Sequence, residues 1–239
     1  MKKFAVFDID GTLIRWQLYH AVAEALAKQG LLDPKIHQTI KDARMRWKKR
    51  THTDAFRDYE GRLVSAYDRL ITQLTPEQMQ VAANSVFNEY RDQVYTYTRD
   101  LIAQLKDRKY LLLAISGSQT EIVDKIAKHW GLDDWVGSTY TQKGGRYTGA
   151  KIVASADKAK ILDKLVTEHK LSYKGSIAVG DSASDIKMLE LVELPIAFNP
   201  EKTLFDHARQ HDWKIVVERK NVVYELERTS GIHYWLKTI

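Results

Sequence analysis

Four short apolar runs, each ending abruptly at a polar residue, constrain this chain more than any other feature. Residues 4–7 precede Asp8, 110–115 precede Ser116, 177–179 precede Gly180-Asp181, and 196–198 precede Asn199. Runs of this length without alternation read as strands buried on both faces, as in a parallel sheet. Helical periods fill the later intervals, over residues 119–129 (stopped by Gly131), 155–169, 184–192 and 200–210. Strands alternating with helices imply an α/β fold with a doubly wound, Rossmann-like parallel sheet and right-handed crossovers. A chain of 239 residues is the size of one core plus a small insertion, because single cores stop growing at roughly 250 to 300 residues.

Residues 15–95 break the alternation. They hold no comparable strand and read as helix after helix, over 16–29, 35–50, 54–74 and 76–94. The last has Thr75 at its N-cap, Pro76 in its first position and Gln78 three residues on, a capping box. The expected division is therefore a core of residues 1–14 and 96–239 with an all-helical insertion of 15–95, crossed at 13–16 and 95–99. A hairpin is expected at 140–152, turning at Lys143-Gly144-Gly145-Arg146.

Composition narrows the function. No stretch reaches about 18 apolar residues, and 4–7 is too short for the apolar part of a signal peptide, so the chain is expected to be cytoplasmic, with no membrane partner. There is no cysteine, which excludes disulfides, thiolate catalysis and Cys-ligated zinc, so any metal is held by oxygen or histidine. Net charge is +6, with Lys41, Arg44, Arg46, Lys48, Lys49 and Arg50 concentrated in one segment. Ile36, Ile40, Ala43 and Trp47 recur through that segment at helical spacing, which places the cations on a solvated face and makes nucleic acid an unfavoured partner. The histidines read as structural or surface groups, and Trp16, Trp47, Trp130 and Trp135 as packing.

The polar residues that end three of the strands form one chemical set: Asp8-Ile9-Asp10-Gly11-Thr12, Ser116-Gly117, and Gly180-Asp181 with Asp185. Ligands bind at the carboxyl ends of strands in open α/β sheets, and Asp8 and Asp10, two apart, face one way. Bringing Asp181 to them crowds carboxylates that repel by about 4 kcal/mol per pair at ~4 Å and an effective dielectric near 20. A hard, oxygen-seeking Mg²⁺ fits that need. The same residues divide into the roles of covalent phosphoryl transfer. Asp8 is the expected nucleophile and Asp10 the acid/base. Thr12, Ser116 and the backbone N–H groups near Gly11 and Gly117 are the expected phosphate holders, and Lys158 the fixed cation.

These motifs, in this order over about residues 4–199, resemble those of the haloacid dehalogenase (HAD) superfamily. Asp8-Ile9-Asp10-Gly11-Thr12 resembles its first motif, Ser116 the second, Lys158 the third, and Gly180-Asp181 with Asp185 the fourth. The resemblance implies Mg²⁺ held by Asp8, the backbone carbonyl of Asp10 and Asp181, with Asp185 supporting the metal shell. It also implies a first strand lying centrally between the second-motif and fourth-motif strands. The helical insertion and the hairpin resemble the phosphoserine-phosphatase-like branch, in which the insertion is a cap over the site. The implied function is Mg²⁺-dependent hydrolysis of a small phosphorylated metabolite.

Two departures bear on the substrate. Gln17 stands where that branch has a Glu for the substrate ammonium, and the cap Arg for the substrate carboxylate has only Arg57 or Arg62 as counterparts. Phosphoserine is accordingly not the expected best substrate, and cap cations, including the segment of residues 41–50, are expected to favour a second anionic group. Phosphoserine phosphatase activity proper, and a basic binding or scaffold protein on an inactive HAD fold, are the alternatives. The sequence sets no oligomeric state.

Overall fold

A computed structural model describes residues 2–228 and 234–238, the side chain of residue 228 excepted. Its first strand, β1 (Phe4–Phe7), is buried at every position, as an unalternating apolar run requires. It pairs in parallel with β2 (Leu111–Gln119) on one side and β5 (Ile177–Gly180) on the other. Beyond β2 come β3 (Asp134–Lys143), parallel to it, and β4 (Arg146–Ile152), antiparallel. Beyond β5 come β6 (Leu194–Phe198) and β7 (Lys214–Arg219), both parallel, then β8 (Val222–Arg228) and β9 (Tyr234–Thr238), both antiparallel. Among the described residues this makes one sheet of order β4-β3-β2-β1-β5-β6-β7-β8-β9. Since the chain passes from β1 to one neighbour and later returns to the other, the crevice at the carboxyl end of β1 is a topological switch point.

Four helices, α1 (Leu18–Lys28), α2 (Pro34–Lys48), α3 (Ala55–Ile71) and α4 (Pro76–Tyr90), lie between β1 and α5 (Thr96–Asp107). The capping box at α4 is complete: Gln78 N donates to Thr75 Oγ1 at 3.3 Å and Thr75 N to Gln78 Oε1 at 2.9 Å. The outgoing and returning chains pair where they cross, Arg15 N donating to Gln93 O at 2.8 Å and Tyr95 N to Leu13 O at 3.1 Å. The remaining helices are α6 (Thr120–Trp130), ended by Gly131 at φ 60°, α7 (Lys158–Glu168), α8 (Ile186–Leu189) and α9 (Lys202–Gln210). One apolar cluster joins Phe7, Leu112 and Ala114 of the sheet to Ile122, Leu26, Tyr67 and Val86. A second covers the other face with Leu162, Leu165, Met188 and Leu204. No helix among the described residues is long and apolar enough to cross a membrane.

Three features differ from expectation. The helix expected over 184–192 is only a tight turn (Ala183–Asp185) and the single-turn α8, because the short path to β6 leaves no room for more. Strand β2 runs on through Ser116-Gly117-Ser118 to Gln119. The edge strands β7–β9 carry charged and apolar residues together and were not expected.

Candidate active site

The site is built from three loops that leave β1, β2 and β5 side by side. Asp8 N donates to Val179 O at 2.9 Å, which carries the pairing of β1 with β5 one residue further and fixes Asp8 at the strand end. Gly11 follows at φ 80°, and a Cβ there would stand 2.1 Å from Asp181 Oδ2. Only glycine permits both the left-handed turn and that approach. Gly180 is constrained by space alone, since a Cβ there would stand 2.5 Å from Asp185 Cγ.

Asp10 is held by three donors. Its Oδ1 accepts from Leu18 N, the first N–H of α1, at 2.5 Å and from Ser118 Oγ at 2.9 Å; its Oδ2 accepts from Ser116 Oγ at 2.5 Å. Burial pushes its carboxyl up from the ordinary range, and these hydrogen bonds oppose that shift in part. Asp8 is pushed up to about 7, first by burial, with Asp185 and Asp10 adding to it and the Lys158 ammonium opposing.

Lys158 opens α7, behind the N-cap Asp157, whose side chain accepts from Lys160 N at 3.1 Å. Its Nζ lies 2.6 Å from Asp8 Oδ1 and 2.6 Å from Asp185 Oδ1, with its side chain 1% exposed. Burial alone would lower its pKa; the two carboxylates outweigh that and raise it, so the ammonium stays charged. Lys160, two residues on, is exposed. Asp185 is fully buried, and its second oxygen accepts from Asp181 N, Ser182 N and Ser182 Oγ at 3.0–3.2 Å. Asp181 is raised well above the usual carboxylate range by burial and then by Asp8 and Asp185.

Oxygens of Asp8, Asp181 and Asp185 lie within 4.8 Å of one another. One lysine cannot balance them together with Asp10, which is the charge deficit a divalent cation would fill. Asp185 already spends both oxygens on Lys158 and on its own turn, which leaves Asp8 and Asp181 as the carboxylates free to reach a metal.

A cavity of about 840 Å³ opens from these residues toward the helices. Asp8, Asp10, Gly11, Gly117, Lys158 and Asp181 line its inner end. Thr12 and Ser116, the other expected phosphate holders, do not line it. Both are fully buried, and Ser116 is turned to Asp10 because β2 is still extended there. Ser118, two residues on and on the same strand face, lines the cavity while its Oγ also donates to Asp10 Oδ1 at 2.9 Å.

Gln17 lines the cavity, whereas Arg57 and Arg62 do not. On α3 the face toward the cavity carries Phe56, Glu60 and Val64, four residues apart; Arg57 lies about 60° from Glu60, at the edge of that face, and Arg62 about 200° from it. The Arg57 side chain is 87% exposed, beside Asp54. The basic segment is not uniformly solvated either. Arg44 lies 4.9 Å over the Trp16 ring with its Nε buried, while Trp47 and Trp16 line the cavity instead of only packing. Of the expected cap cations, Arg57 and Arg62 do not line the cavity, and Arg44 stands behind its wall against Trp16. Sequence reasoning also missed His20, Glu60, Gln119 and Glu201 in the cavity wall.

Residues 5–190 match the haloacid dehalogenase-like hydrolase family. The phosphoserine phosphatase of Archaeoglobus fulgidus is 25% identical over 87% of this chain, which spans 55% of that protein's length. The phosphoserine phosphatase of Methanocaldococcus jannaschii is 23% identical over 87% of this chain and 90% of its own, and the histidinol-phosphatase of Neisseria meningitidis 26% identical over 90% and 99%. Among solved structures, a Bordetella pertussis protein of unknown function superposes with a TM-score of 0.71 at 19% identity, covering 90% of this chain and 98% of that one. A phospho-aspartyl intermediate analogue of phosphoserine phosphatase superposes with 0.61 at 22% identity, covering 92% and 95%. The chain belongs to the haloacid dehalogenase-like hydrolase family. Within it the chain falls on the phosphoserine-phosphatase-like branch and is an enzyme of the phosphatase type.

Proposed function

We propose that this chain is a Mg²⁺-dependent phosphatase that hydrolyses a small phosphorylated metabolite through an aspartyl-phosphate on Asp8. The observation that carries the reading is Asp8 itself: a strand-end carboxylate opening on a cavity, 2.6 Å from a buried lysine and two residues from a second carboxylate held by three donors. In the first half-reaction Asp8 attacks phosphorus, the bond to the alcohol oxygen breaks, and Asp10 gives that oxygen its proton. In the second, Asp10 takes a proton from water, which attacks the acyl phosphate, releases phosphate and restores Asp8. The raised pKa of Asp10 suits the donor step. Ser118 and the backbone at Gly117 and Gly11 face the cavity where phosphate oxygens would sit. Lys158 holds Asp8 in line and balances phosphoryl charge, and Asp185 acts as its positioning residue.

Mg²⁺ would be held by Asp8, the Asp10 carbonyl and Asp181, and would supply charge neutralisation at the phosphate oxygens. Gly11 supports this fit, since its missing side chain is what brings Asp181 to the site. We also read residues 1–14 and 96–239 as a core and 15–95 as its cap, and the enzyme as cytoplasmic. Relatives that act on phosphoserine and histidinol phosphate by their names support a phosphomonoester substrate.

Release of nitrophenol from p-nitrophenyl phosphate tests this reading. Turnover should require Mg²⁺, stop in excess EDTA and vanish in Asp8→Asn. Turnover that persists in EDTA would overturn the metal assignment, and a phosphoenzyme formed by Asp8→Asn would overturn the nucleophile.

A further inference from the structure

A carboxylate offers about four acceptor positions, two on each oxygen, and the neighbours of Asp10 do not use them evenly. Its Oδ1 accepts from Leu18 N and from Ser118 Oγ, which fills both of its places, whereas Oδ2 accepts from Ser116 Oγ alone. One place is left, on Oδ2. The three donors also differ in where they stand. Leu18 N is the first backbone N–H of α1 and belongs to the helical layer. Ser116 is fully buried, and its hydroxyl is committed on both sides, donating to Asp10 while its oxygen accepts from Ser118 N at 3.0 Å. Ser118 alone of the three both touches Asp10 and lines the cavity. It reaches that position because β2 stays extended as far as Gln119, which keeps Ser116 and Ser118 on one face.

An acid that hands its proton to an oxygen in the cavity needs that proton on a defined atom. We propose that Ser118 is a positioning residue for Asp10: together with Leu18 N it occupies Oδ1, so that the proton Asp10 passes is carried on Oδ2. This inference rests on the phosphatase reading and adds a residue to it. In the first half-reaction the Oδ2 proton goes to the alcohol oxygen as its bond to phosphorus breaks. In the second, Oδ2 takes a proton from the water that attacks the acyl phosphate. Ser118 keeps its own proton throughout. Without that hydroxyl a place on Oδ1 is open, the carboxyl group is free to turn, and the proton has two seats, so both transfers slow.

Two esters that differ in their need for an acid provide the test. The oxygen of p-nitrophenyl phosphate leaves as a stable anion, whereas that of benzyl phosphate has to be protonated as it leaves. The quantity read is the ratio of their kcat/KM values at fixed Mg²⁺, which reports the steps up to release of the alcohol and is internal to each protein, independent of how much of it folds. In Ser118→Ala the ratio, nitrophenyl over benzyl, should rise about tenfold or more, the size of one lost hydrogen bond to a charged group. Loss of a phosphate contact would instead lower both esters alike and leave the ratio where it was. Hydrolysis of the phosphoenzyme is common to the two esters. After a chase with unlabelled ester, radiolabelled phosphate should therefore leave Asp8 more slowly in Ser118→Ala than in the wild type, by a similar factor. An unchanged ratio, or a phosphoenzyme that clears at the wild-type rate, would overturn this inference alone. If the wild type turns over neither ester, the phosphatase reading fails and takes the inference with it.

Discussion

His20 is a buried base whose protonation the fold resists, and acid should therefore loosen the helices around the cavity by a calculable amount. The side chain is 6% exposed, its ring packs edge-on to Tyr59 at 5.1 Å, and its Nδ1 lies 3.3 Å from the Tyr59 hydroxyl. Burial first and the Arg44 guanidinium second lower its pKa from 6.5 to about 4. The unfolded chain therefore binds the proton more readily than the folded one, so this contribution to stability is intact above pH 6.5 and is lost as pH falls toward 4. Linkage gives about 2 kcal/mol lost between pH 7 and pH 5, and about 3 kcal/mol once both states are protonated. Urea unfolding of the wild type and of His20→Gln at the two pH values isolates this group, because every other titration cancels in the double difference. The wild type should lose about 2 kcal/mol more than the variant. Parallel losses in the two proteins would show that His20 is charged or solvated in the folded state and would refute the reasoning.

Two further predictions concern the groups proposed as catalytic. Lys158→Met leaves Asp8 and Asp185 buried without their shared cation and should cost about 3–5 kcal/mol in urea unfolding, whereas Lys160→Met should stay within about 0.5 kcal/mol. A loss below about 1 kcal/mol at Lys158 would contradict the buried ion pairs. Asp10→Asn should lower turnover of poorly activated esters by ~10² to 10⁴ while still trapping phosphate on Asp8, because attack and proton transfer are separate steps. An unchanged steady-state rate would remove Asp10 from the acid/base role.

What could be read from the sequence was what depends on local pattern. The run from Phe4 to Phe7 has no polar alternate, and such a strand has to be covered on both faces, as β1 is; its central place in the sheet is what the family resemblance implies and not the run itself. Asp8 and Asp10 share a direction by strand period alone, and Gly131 stops α6 as its place after the last apolar residue implies. The misses depend on how elements are phased against one another. The sequence shows that Arg57 and Glu60 are on one helix, but not which of them looks into the cavity; that is set by how α3 docks on α1 and on β4. The apolar run alone implies a strand ending at residue 115 with Ser116 on phosphate; β2 instead runs on to Gln119, so that Ser116 and Ser118 both reach Asp10 and Ser118 and Gln119 line the cavity. The polar face of α2 implies a solvated Arg44, but Trp16 comes from outside that helix and offers its ring to the guanidinium.

The hydrogen bonds to Asp10 tie the chemistry to the helical layer. One carboxylate oxygen is held by Ser116 of the central sheet; the other accepts from Leu18 N at the start of α1, so the group assigned to proton transfer bridges the two layers. The crossing chains cannot slide freely at this point, because Arg15 and Tyr95 pair across them and Gly11 N donates to Ile14 O at 3.0 Å within the same loop. Further out the contacts are of another kind. The hairpin of β3 and β4 reaches α3 through Lys151 on Asp68 and follows it with Arg146 Nη1 donating to Gln73 O at 2.8 Å, both on the surface and open to screening by salt. Around Asp10 the layers are joined by buried, short hydrogen bonds, and at the hairpin by one ion pair and one hydrogen bond to a backbone carbonyl, both near the surface. Asp10 is thus fixed where the layers meet, while the hairpin of β3 and β4 is held to α3 by more exposed contacts.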